Sequence, residues 1–533
     1  MHEHSAGATG IGQIRAAEEV RARACCPACV SVFVTTCPSA RKGAPSKASL
    51  GDRNVMEESE RRFLEQVLGE VLAHLAPPVD GRIRRDLAAS HLARTTDLAL
   101  PMVGGGLDQV LDDVRTYLAG SVRTDQPGFM NPLWGGVTAE AIAAELVVAA
   151  TNTAMYTFEV APLASLIETA VLDRMRQHLR FPDGAGTLTS GGSNGNLMGM
   201  LCARQALVPS SGHDGFDGRS WVAFVSEEAH YSTAMAAGLL GLGRGNLIRV
   251  STDADGRMDP GALARSIERE AGLGRKPLCV MATSGTTVRG AFDPLEPIAN
   301  VCEQHNIWLH VDAAWGGACL FSARHRHLMD GIERADSVCW DAHKMMGLPL
   351  VCSAFIARRS EVLRAACAHG DEAHYLFHDE TESNDLGRYS LQCGRRNDAL
   401  KLFLAWRAKG DAGWGAMVDR YMDLAAYLAS RIRSESMLEL VGHPAWTNVC
   451  FRHLGAGDAL GEASDRFNAA LRAALLEDGR FMVSRAQLDG RVVLRPVIAN
   501  PAVNEASLDG FVDLVLRLAH TVDLGSQVEE PQA

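Results

Sequence analysis

The sequence predicts an α/β protein with a mainly parallel sheet. Between about residues 180 and 360, short apolar runs typical of strands alternate with helical patterns, and this alternation builds parallel sheets. The chain has 533 residues, and chains of this size bury roughly three quarters of their unfolded surface. Two of the strand-like runs lead into charged residues, Asp312 and Lys344. Because open α/β sheets hold ligands at the carboxyl ends of their strands, both residues are candidates for one site.

The composition is that of an ordinary globular protein, with 47% hydrophobic and 22% charged residues. The formal net charge of −12 argues against nucleic acid or an anionic membrane as a partner. The longest apolar stretches, such as Ala141 to Ala150, are too short and interrupted to span a bilayer. We therefore expect a cytoplasmic protein that acts on a small molecule.

Residues 1–55 are expected to form a disordered tail, and Met56 is an alternative start of the protein. Four of the 13 cysteines crowd into this tail, in the run ACCPACVSVFVTTC. They are Cys25, Cys26, Cys29 and Cys37. A zinc site normally needs a second CxxC pair or a pair of histidines nearby, and the tail has neither. No metal is expected.

A helical arm is predicted over residues 56–125. Apolar residues recur there at three- and four-residue intervals in two runs, which is typical of amphipathic helices. The first run is Phe63, Val67, Leu68, Val71 and Leu72, and the second is Leu107, Val110, Leu111, Val114 and Leu118. Pro77 and Pro78 end the first helix.

The stretch from His310 to Gly347 carries the clearest chemistry. Asp312 follows the apolar run that starts at Ile307, and Lys344 follows a second apolar run around Cys339. A lysine so placed can form a Schiff base with an aldehyde cofactor, and an acid facing a pyridine nitrogen keeps that ring protonated. Spacing alone also fits a surface lysine and an ordinary acid after a strand.

Four motifs in this order resemble the group II pyridoxal-phosphate-dependent decarboxylases, especially the glutamate and cysteine-sulfinate decarboxylase branch. They are TSGTTVRGAFDP, HVDAAWGG, ADSVCWDAHKMMG and SLQCGRR, and the similarity runs from about residue 126 to about 502. The resemblance implies pyridoxal 5'-phosphate as cofactor and α-decarboxylation of an L-amino acid to an amine. It also implies the aspartate-aminotransferase-like fold type I and a homodimer with active sites at the subunit interface.

The family fold suggests domain boundaries for this chain. Residues 126–408 would form a large cofactor-binding domain, residues 409–524 a small α+β domain, and residues 525–533 a tail. In the resembled family, the helical arm packs on the partner subunit.

The resemblance also assigns roles to individual residues. Lys344 would be the Schiff-base lysine, Asp312 the partner of the pyridine nitrogen, and His230 the ring that stacks on the cofactor and moves protons. Gly192 and Ser193 match the phosphate cup, at a strand-to-helix turn whose free N–H groups suit an anion. The remaining assigned cofactor contacts are Thr287, Ala314 and His343, and the assigned substrate contacts are Arg495, for the α-carboxylate, and Asn131.

Several positions depart from the family pattern. Ala154 stands where glutamate decarboxylases have an asparagine that helps hold the distal carboxylate, which makes glutamate a doubtful substrate. We expect a small acidic substrate such as aspartate, cysteine sulfinate or cysteate. Arg289 is either a recognition group for an acidic side chain or a salt-bridged surface residue. Asp341 replaces a common asparagine, and its carboxylate would repel a phosphate, so it is given no phosphate contact.

A catalytic tyrosine of the family is also missing. The family carries it on a loop, where it protonates the carbanion left by decarboxylation, but no tyrosine lies between Leu376 and Arg388. His378 and His230 are the candidate substitutes. Without that tyrosine, an aldehyde synthase is the alternative activity, and another fold type I lyase or an aminotransferase is a further one.

Overall fold

The computed structural model describes residues 56–85, 88–368, 376–377, 384–455 and 461–522. The predictions made for residues 1–55, for His378 and for the tail at 525–533 lie outside these ranges.

The described strands form two sheets. In chain order the strands are β1 (Phe129–Met130), β2 (Ala185–Thr189), β3 (Trp221–Ser226), β4 (Leu247–Val250), β5 (Lys276–Thr283), β6 (Trp308–Asp312), β7 (Ser337–Asp341), β8 (Ser353–Ala357), β9 (Leu438–Leu440), β10 (Phe451–His453), β11 (Met482–Leu488) and β12 (Arg491–Arg495).

The larger sheet has seven strands in the order β2-β8-β7-β6-β5-β3-β4. Strands β4, β3, β5, β6 and β7 run parallel, while β8 is antiparallel to both of its neighbours. The central strands β3, β6 and β7 are buried along their whole length, as expected for a sheet with both faces covered. The predicted α/β fold with a mainly parallel sheet is confirmed.

The smaller sheet has five strands in the order β1-β11-β12-β10-β9. Its first strand, β1, comes from the segment just before the larger sheet and pairs in parallel with β11. This pairing joins the segment around Phe129 to the C-terminal part of the chain, across the boundary that we predict at residue 409.

Helices connect and cover the strands. They are α1 (Glu58–His74), α2 (Ala89–Thr95), α3 (Gly106–Gly120), α4 (Ala139–Thr151), α5 (Pro162–Leu179), α6 (Gly192–Leu207), α7 (Ser211–Asp214), α8 (Ser232–Leu239), α9 (Pro260–Gly272), α10 (Leu295–His305), α11 (Ser360–Ala366), α12 (Ala399–Arg433), α13 (Glu462–Asp478) and α14 (Glu505–Ala519). Helix α12 kinks at Gly410, whose φ of 62° is open to glycine, next to the predicted domain boundary.

The arm before residue 126 contains the two predicted amphipathic helices, α1 and α3. In the single chain, α1 has no buried residue, and Leu64, Leu68 and Leu72 are exposed. On α3 only Leu111 is buried. The apolar faces of α1 and α3 are therefore only partly buried by the described residues of a single chain.

One strand boundary differs from expectation. The apolar run from Val492 to Pro501 predicts a strand with Arg495 at its centre, but β12 ends at Arg495. The reason is Pro496, which has no N–H to donate to a sheet ladder. Arg495 consequently lies at the end of the strand.

No described helix is both long and apolar enough to cross a membrane.

Candidate active site

The parallel strands bring most of the predicted residues to one edge of the larger sheet. Asp312 is the last residue of β6, and Lys344 follows the end of β7 by three residues. His230 and Thr287 each lie four residues beyond the ends of β3 and β5. Because β3, β5, β6 and β7 are parallel, their carboxyl ends meet at the same edge.

Asp312 is buried and well supplied with hydrogen-bond donors. Its Oδ2 accepts from Asn196 Nδ2 at 2.8 Å, and its Oδ1 accepts from the backbone N–H of Ala314 at 3.1 Å. Burial by itself would raise the pKa of Asp312, but the Lys344 ammonium and these donors outweigh it and hold the pKa below its ordinary value. The carboxylate is therefore anionic in the folded protein, as a partner for a protonated pyridine nitrogen must be.

Lys344 lies between carboxylates. Its Nζ is 3.2 Å from Oδ2 of Asp341, and Asp312 also acts on it through space. Burial opposes the ammonium form, yet the two carboxylates raise the pKa of Lys344 above its ordinary value. Asp341 is held in turn by Ser353, whose Oγ donates to Oδ1 at 2.5 Å. The carboxylate at position 341 is thus oriented by the lysine and a serine.

The predicted phosphate cup is the turn between β2 and α6. Gly191 has a φ of 125°, a backbone angle that glycine adopts readily and other residues rarely do. Helix α6 begins at the next residue, Gly192. A Cβ on Gly192 would lie 2.7 Å from Oδ2 of Asp341 and 3.0 Å from Cβ of Ala314, so only glycine fits there. The cup, Ala314 and the residues around Lys344 are consequently neighbours.

His230 is half-buried and approaches the same place. Its Nδ1 lies 2.8 Å from Oγ of Ser232, at the start of α8. Burial is the main cause that lowers the pKa of His230, with Lys344 acting in the same direction and Asp312 against it. The ring is therefore neutral near pH 7. His343, which directly precedes Lys344, is buried and bonds through Nδ1 to the carbonyl oxygen of Cys352 at 2.9 Å.

Arg495 and Thr287 form a second cluster. The Arg495 guanidinium donates to the backbone carbonyl of Thr287, and its Nε donates to Ser484 Oγ at 3.0 Å. Arg495 is 5% exposed, and among the described residues no carboxylate forms an ion pair with it. Burial lowers the pKa of Arg495 from its ordinary value, although a guanidinium stays charged at neutral pH. Within the described part of the chain, this cation has neutral partners only.

The loop after β5 connects the two clusters. The N–H of Ser284 donates to the carbonyl of Asp312 at 2.8 Å, and the N–H of Gly316 donates to the carbonyl of Ser284 at 2.9 Å. The same loop continues to Thr287, which contacts Arg495. The predicted substrate contact Asn131 is half-buried and follows Met130 in the chain. The carbonyl of Met130 accepts a hydrogen bond from the backbone N–H of Val497 at 3.1 Å. Asn131 is thereby tied to the chain just beyond Arg495.

Arg289 has carboxylate partners of its own. It forms ion pairs with Asp489 at 2.5 Å and with Glu228 at 3.5 Å. Of the two interpretations offered by the sequence, the structure thus supplies the partners for the salt-bridged one.

Sequence reasoning missed the residues that hold Asp312 and His230. Asn196 on α6 bonds to Asp312, to Ser232 and to the ring of His310, whose Nε2 is 3.0 Å from Asn196 Oδ1. One signal was present: His310 and Asp312 are two apart on a strand and therefore point to the same face. Asn196 gave no such signal, because its partners come from distant parts of the chain.

The residues at this edge fit pyridoxal 5'-phosphate. A helix N-terminus with an accessible backbone suits its phosphate, an anionic carboxylate suits its pyridinium nitrogen, and a nearby lysine could form a Schiff base with its aldehyde. The carboxylate of Asp341 beside Gly192 is already engaged by Lys344 and Ser353. Within the described ranges, no group of three or more His, Cys, Asp or Glu side chains could hold a metal ion.

Comparisons with known proteins give a consistent result. The family model described as the pyridoxal-dependent decarboxylase conserved domain matches residues 90–454. The chain is 38% identical to cysteine sulfinic acid decarboxylase of Homo sapiens over 439 residues, which cover 80% of this chain and 89% of the relative. It is 35% identical to the acidic amino acid decarboxylase GADL1 of Mus musculus over 483 residues, which cover 88% of this chain and 86% of the relative.

Solved structures agree with the sequence relatives. A crystal structure of mouse CSAD matches with a TM-score of 0.82 and 35% identity, over 86% of this chain and 98% of that one. A crystal structure of Oryza sativa TDC with PLP and tryptamine also has a TM-score of 0.82, at 26% identity, over 88% of this chain and 99% of that one.

Proposed function

The chain belongs to the pyridoxal-dependent decarboxylase family and is an amino acid decarboxylase that uses pyridoxal 5'-phosphate, and on this premise we propose that its substrate is a small acidic L-amino acid. Two kinds of relative, named for cysteine sulfinic acid and for acidic amino acids, support an acidic side chain. The structure supports an amino acid as substrate through Arg495, a buried cation whose described partners are all neutral, while the acidic side chain rests on those relatives. Such a charge is available to a ligand carboxylate.

Each predicted residue then has a proposed role. Lys344 binds the cofactor covalently, Gly192 and Ser193 hold its phosphate through the start of α6, and Asp312 faces its ring nitrogen. Ala314, Thr287 and His343 line the remaining sides. When bound, the cofactor supplies an electron-withdrawing ring that accepts the electrons released with carbon dioxide.

Arg495 determines which bond of the substrate breaks. By holding the α-carboxylate, it would fix the orientation of the substrate's α-carbon and so favour loss of carbon dioxide over cleavage of the other bonds to that carbon. Asn131, next to the chain that follows Arg495, is proposed to contact the same substrate.

His230 is our proposed proton donor to the α-carbon. Its ring is neutral and half-buried, and the charges of Asp312 and Lys344 both act on its pKa. The absence of a tyrosine between Leu376 and Arg388 makes such a replacement necessary and also favours the second candidate function. If no group protonates that carbon efficiently, an aldehyde-forming reaction that consumes dioxygen and releases ammonia competes with amine formation.

We further propose that the enzyme is a cytoplasmic homodimer. Three leucines of α1, Leu64, Leu68 and Leu72, are exposed on the single chain, as are Leu107 and Val110 of α3. Exposed apolar side chains in such numbers favour a protein surface as cover. The cytoplasmic location rests on composition and charge alone.

The test of the proposed function is a product balance. The purified, cofactor-loaded enzyme is offered aspartate, cysteine sulfinate, cysteate, glutamate and the remaining proteinogenic amino acids, and carbon dioxide, amine and ammonia are measured for each. We expect carbon dioxide and amine in equal amounts from a small acidic substrate, and neither from Lys344→Ala. Carbon dioxide with ammonia would establish the aldehyde-forming alternative, and a preference for neutral or aromatic amino acids would contradict the substrate class.

The dimer is tested separately by light scattering during gel filtration. Wild type should have twice the mass of one chain, while a Leu68→Glu, Leu72→Glu double variant should shift toward the monomer. A wild-type monomer that retains full activity would contradict the dimer.

A further inference from the structure

A buried chain of polar side chains lies behind the residues that face the cofactor. Its centre is Asn196, in the second turn of α6 and 1% exposed. Helix α6 can lie so close to the sheet because it carries glycines where it touches β6 and β7. A Cβ on Gly199 would lie 2.4 Å from the His310 ring, and one on Gly195 would lie 2.5 Å from Cβ of Cys339.

The direction of each hydrogen bond in this chain is determined by its end groups. An ionised carboxylate can only accept, so the amide nitrogen of Asn196 must face Asp312, at 2.8 Å. The amide oxygen then faces Nε2 of His310 at 3.0 Å. Burial lowers the pKa of His310 to about 4, so the ring is neutral, and its single proton lies on Nε2, toward Asn196.

The far end agrees with this assignment. Nδ1 of His310 must then accept, and it lies 2.9 Å from Ser337 Oγ. That hydroxyl in turn accepts from Nε1 of Trp308 at 3.0 Å, and an indole nitrogen can only donate. A donor at Trp308 and an acceptor at Asp312 therefore leave one consistent orientation for the groups between them.

A branch extends the same order to His230. The second hydrogen of the Asn196 amide points to Ser232 Oγ at 2.8 Å, so the serine hydroxyl donates onward to Nδ1 of His230, also at 2.8 Å. The backbone N–H of Ser232 points to the same nitrogen at 3.3 Å. With Nδ1 accepting, the proton of neutral His230 must lie on Nε2.

We propose that Asn196 is a positioning residue that joins Asp312 and His230 in one hydrogen-bonded network and places the His230 proton on Nε2. The network does two things at once. It stabilises the Asp312 carboxylate that would face the ring nitrogen, and it fixes the tautomer of the histidine that would protonate the product. This inference rests on the proposed function, since it concerns the residues assigned to cofactor and proton transfer there.

The test separates the two branches with three variants. Asn196→Leu removes both branches, Asn196→Asp keeps the volume but replaces the amide donors with a carboxyl group that competes with Asp312 for a proton, and Ser232→Ala cuts only the branch to His230. For each we measure the cofactor dissociation constant by visible absorbance, kcat and KM, and the ratio of ammonia to amine among the products. Asn468→Leu is the matched control, because Asn468 is another fully buried, hydrogen-bonded asparagine, on α13.

Both Asn196 variants should bind the cofactor roughly 10- to 100-fold more weakly, the usual effect of removing a hydrogen bond to a buried charge. Ser232→Ala should leave cofactor affinity and KM unchanged, lower kcat, and raise the fraction of ammonia. Asn468→Leu should lower the thermal midpoint without changing cofactor affinity or product ratio.

Asn196 variants with the cofactor affinity and kcat of the Asn468 control would overturn the proposal. A Ser232→Ala enzyme with unchanged kcat and product ratio would overturn the His230 branch. Cofactor affinity is measurable whether or not any amino acid is decarboxylated. A wild type without decarboxylation would therefore refute the proposed function, while the affinity series would still test the Asn196 network.

Discussion

Two arginines meet in the loop after β5, and their partners among the described residues differ in charge. Arg289 belongs to the loop after β5 and forms ion pairs with Asp489 and Glu228. Arg495, at the end of β12, donates to the carbonyl of Thr287 in that loop and to a serine hydroxyl. Among the residues that the structure describes, one cation is thus neutralised by carboxylates and the other has uncharged partners. An arginine buried without a carboxylate is costly, which favours a ligand as its missing partner.

Two aspartates show the same contrast. Asp312 has Lys344 and the Asn196 amide nearby, and its pKa is held below its ordinary value in spite of burial. Asp293 is buried, and its hydrogen-bond donors in the described ranges are the backbone N–H groups of Met258 and Thr283, at 2.7 Å each. Burial raises the pKa of Asp293 from 3.8 to about 7. The partners available to a buried charge, more than burial itself, separate the site from its surroundings.

The largest effect is expected from removing Arg495, the arginine with neutral partners in the described ranges. Arg495→Met should lower kcat/KM on the order of a thousandfold, about 4 kcal/mol, because the substrate carboxylate loses a desolvated ionic partner. Arg495→Lys keeps the charge but not the forked geometry and should recover only part of the loss. Steady-state kinetics of both variants provide the test, and a kcat/KM near wild type for Arg495→Met would refute the role.

The next effect concerns Asp293, which has no cationic partner among the described residues. Because the folded pKa of Asp293 is about 7 and its ordinary value is 3.8, its protonated form stabilises the fold fully below pH 4. That contribution is lost as the pH rises through 7. Relative to wild type, Asp293→Asn should gain on the order of 3 kcal/mol of unfolding free energy between pH 4 and pH 8. Denaturant unfolding at several pH values measures this difference, and parallel pH profiles would contradict it.

A smaller effect is expected at the lysine's own partner. In the wild type, the Asp341 carboxylate lies 3.2 Å from Lys344 Nζ and raises the pKa of the lysine. Asp341→Asn removes this carboxylate and should therefore lower that pKa. More of the lysine is then the reactive free amine at neutral pH, and the cofactor should load several-fold faster. Stopped-flow absorbance of the cofactor-free enzyme mixed with pyridoxal 5'-phosphate follows the reaction. Slower loading in the variant would show that Asp341 assists the lysine in another way.

The smallest effect is expected at the paired arginine. Arg289→Gln should change kcat/KM by less than about threefold and cost about 1 kcal/mol of stability, the range of partly exposed ion pairs. The same kinetics and unfolding experiments apply. A large rise in KM confined to acidic substrates would instead make Arg289 a recognition group, and the contrast between the two arginines would fail.

Much of the site follows from local sequence patterns, and some of it does not. Asp312 and Lys344 were predictable because each follows a clear apolar strand, and parallel strands bring their ends together. The strand at Arg495 was predicted too long because the apolar pattern continues beyond Pro496. The strand itself ends before this proline, which has no N–H to donate to a neighbouring strand. Asn196, Ser232 and Ser337 lie far apart in sequence, so only the folded chain reveals their network.

The assignment of the site depends above all on which lysine holds the cofactor. The chain offers a natural control in Lys401, which is 1% exposed and engaged by Glu145 and Asp398 at 2.9 Å each. The measurement is borohydride reduction of the loaded enzyme, followed by peptide mass mapping. We predict a pyridoxyl group on Lys344 and none on Lys401. A modified Lys401, or an unmodified Lys344 in an enzyme that releases carbon dioxide, would contradict the site described above.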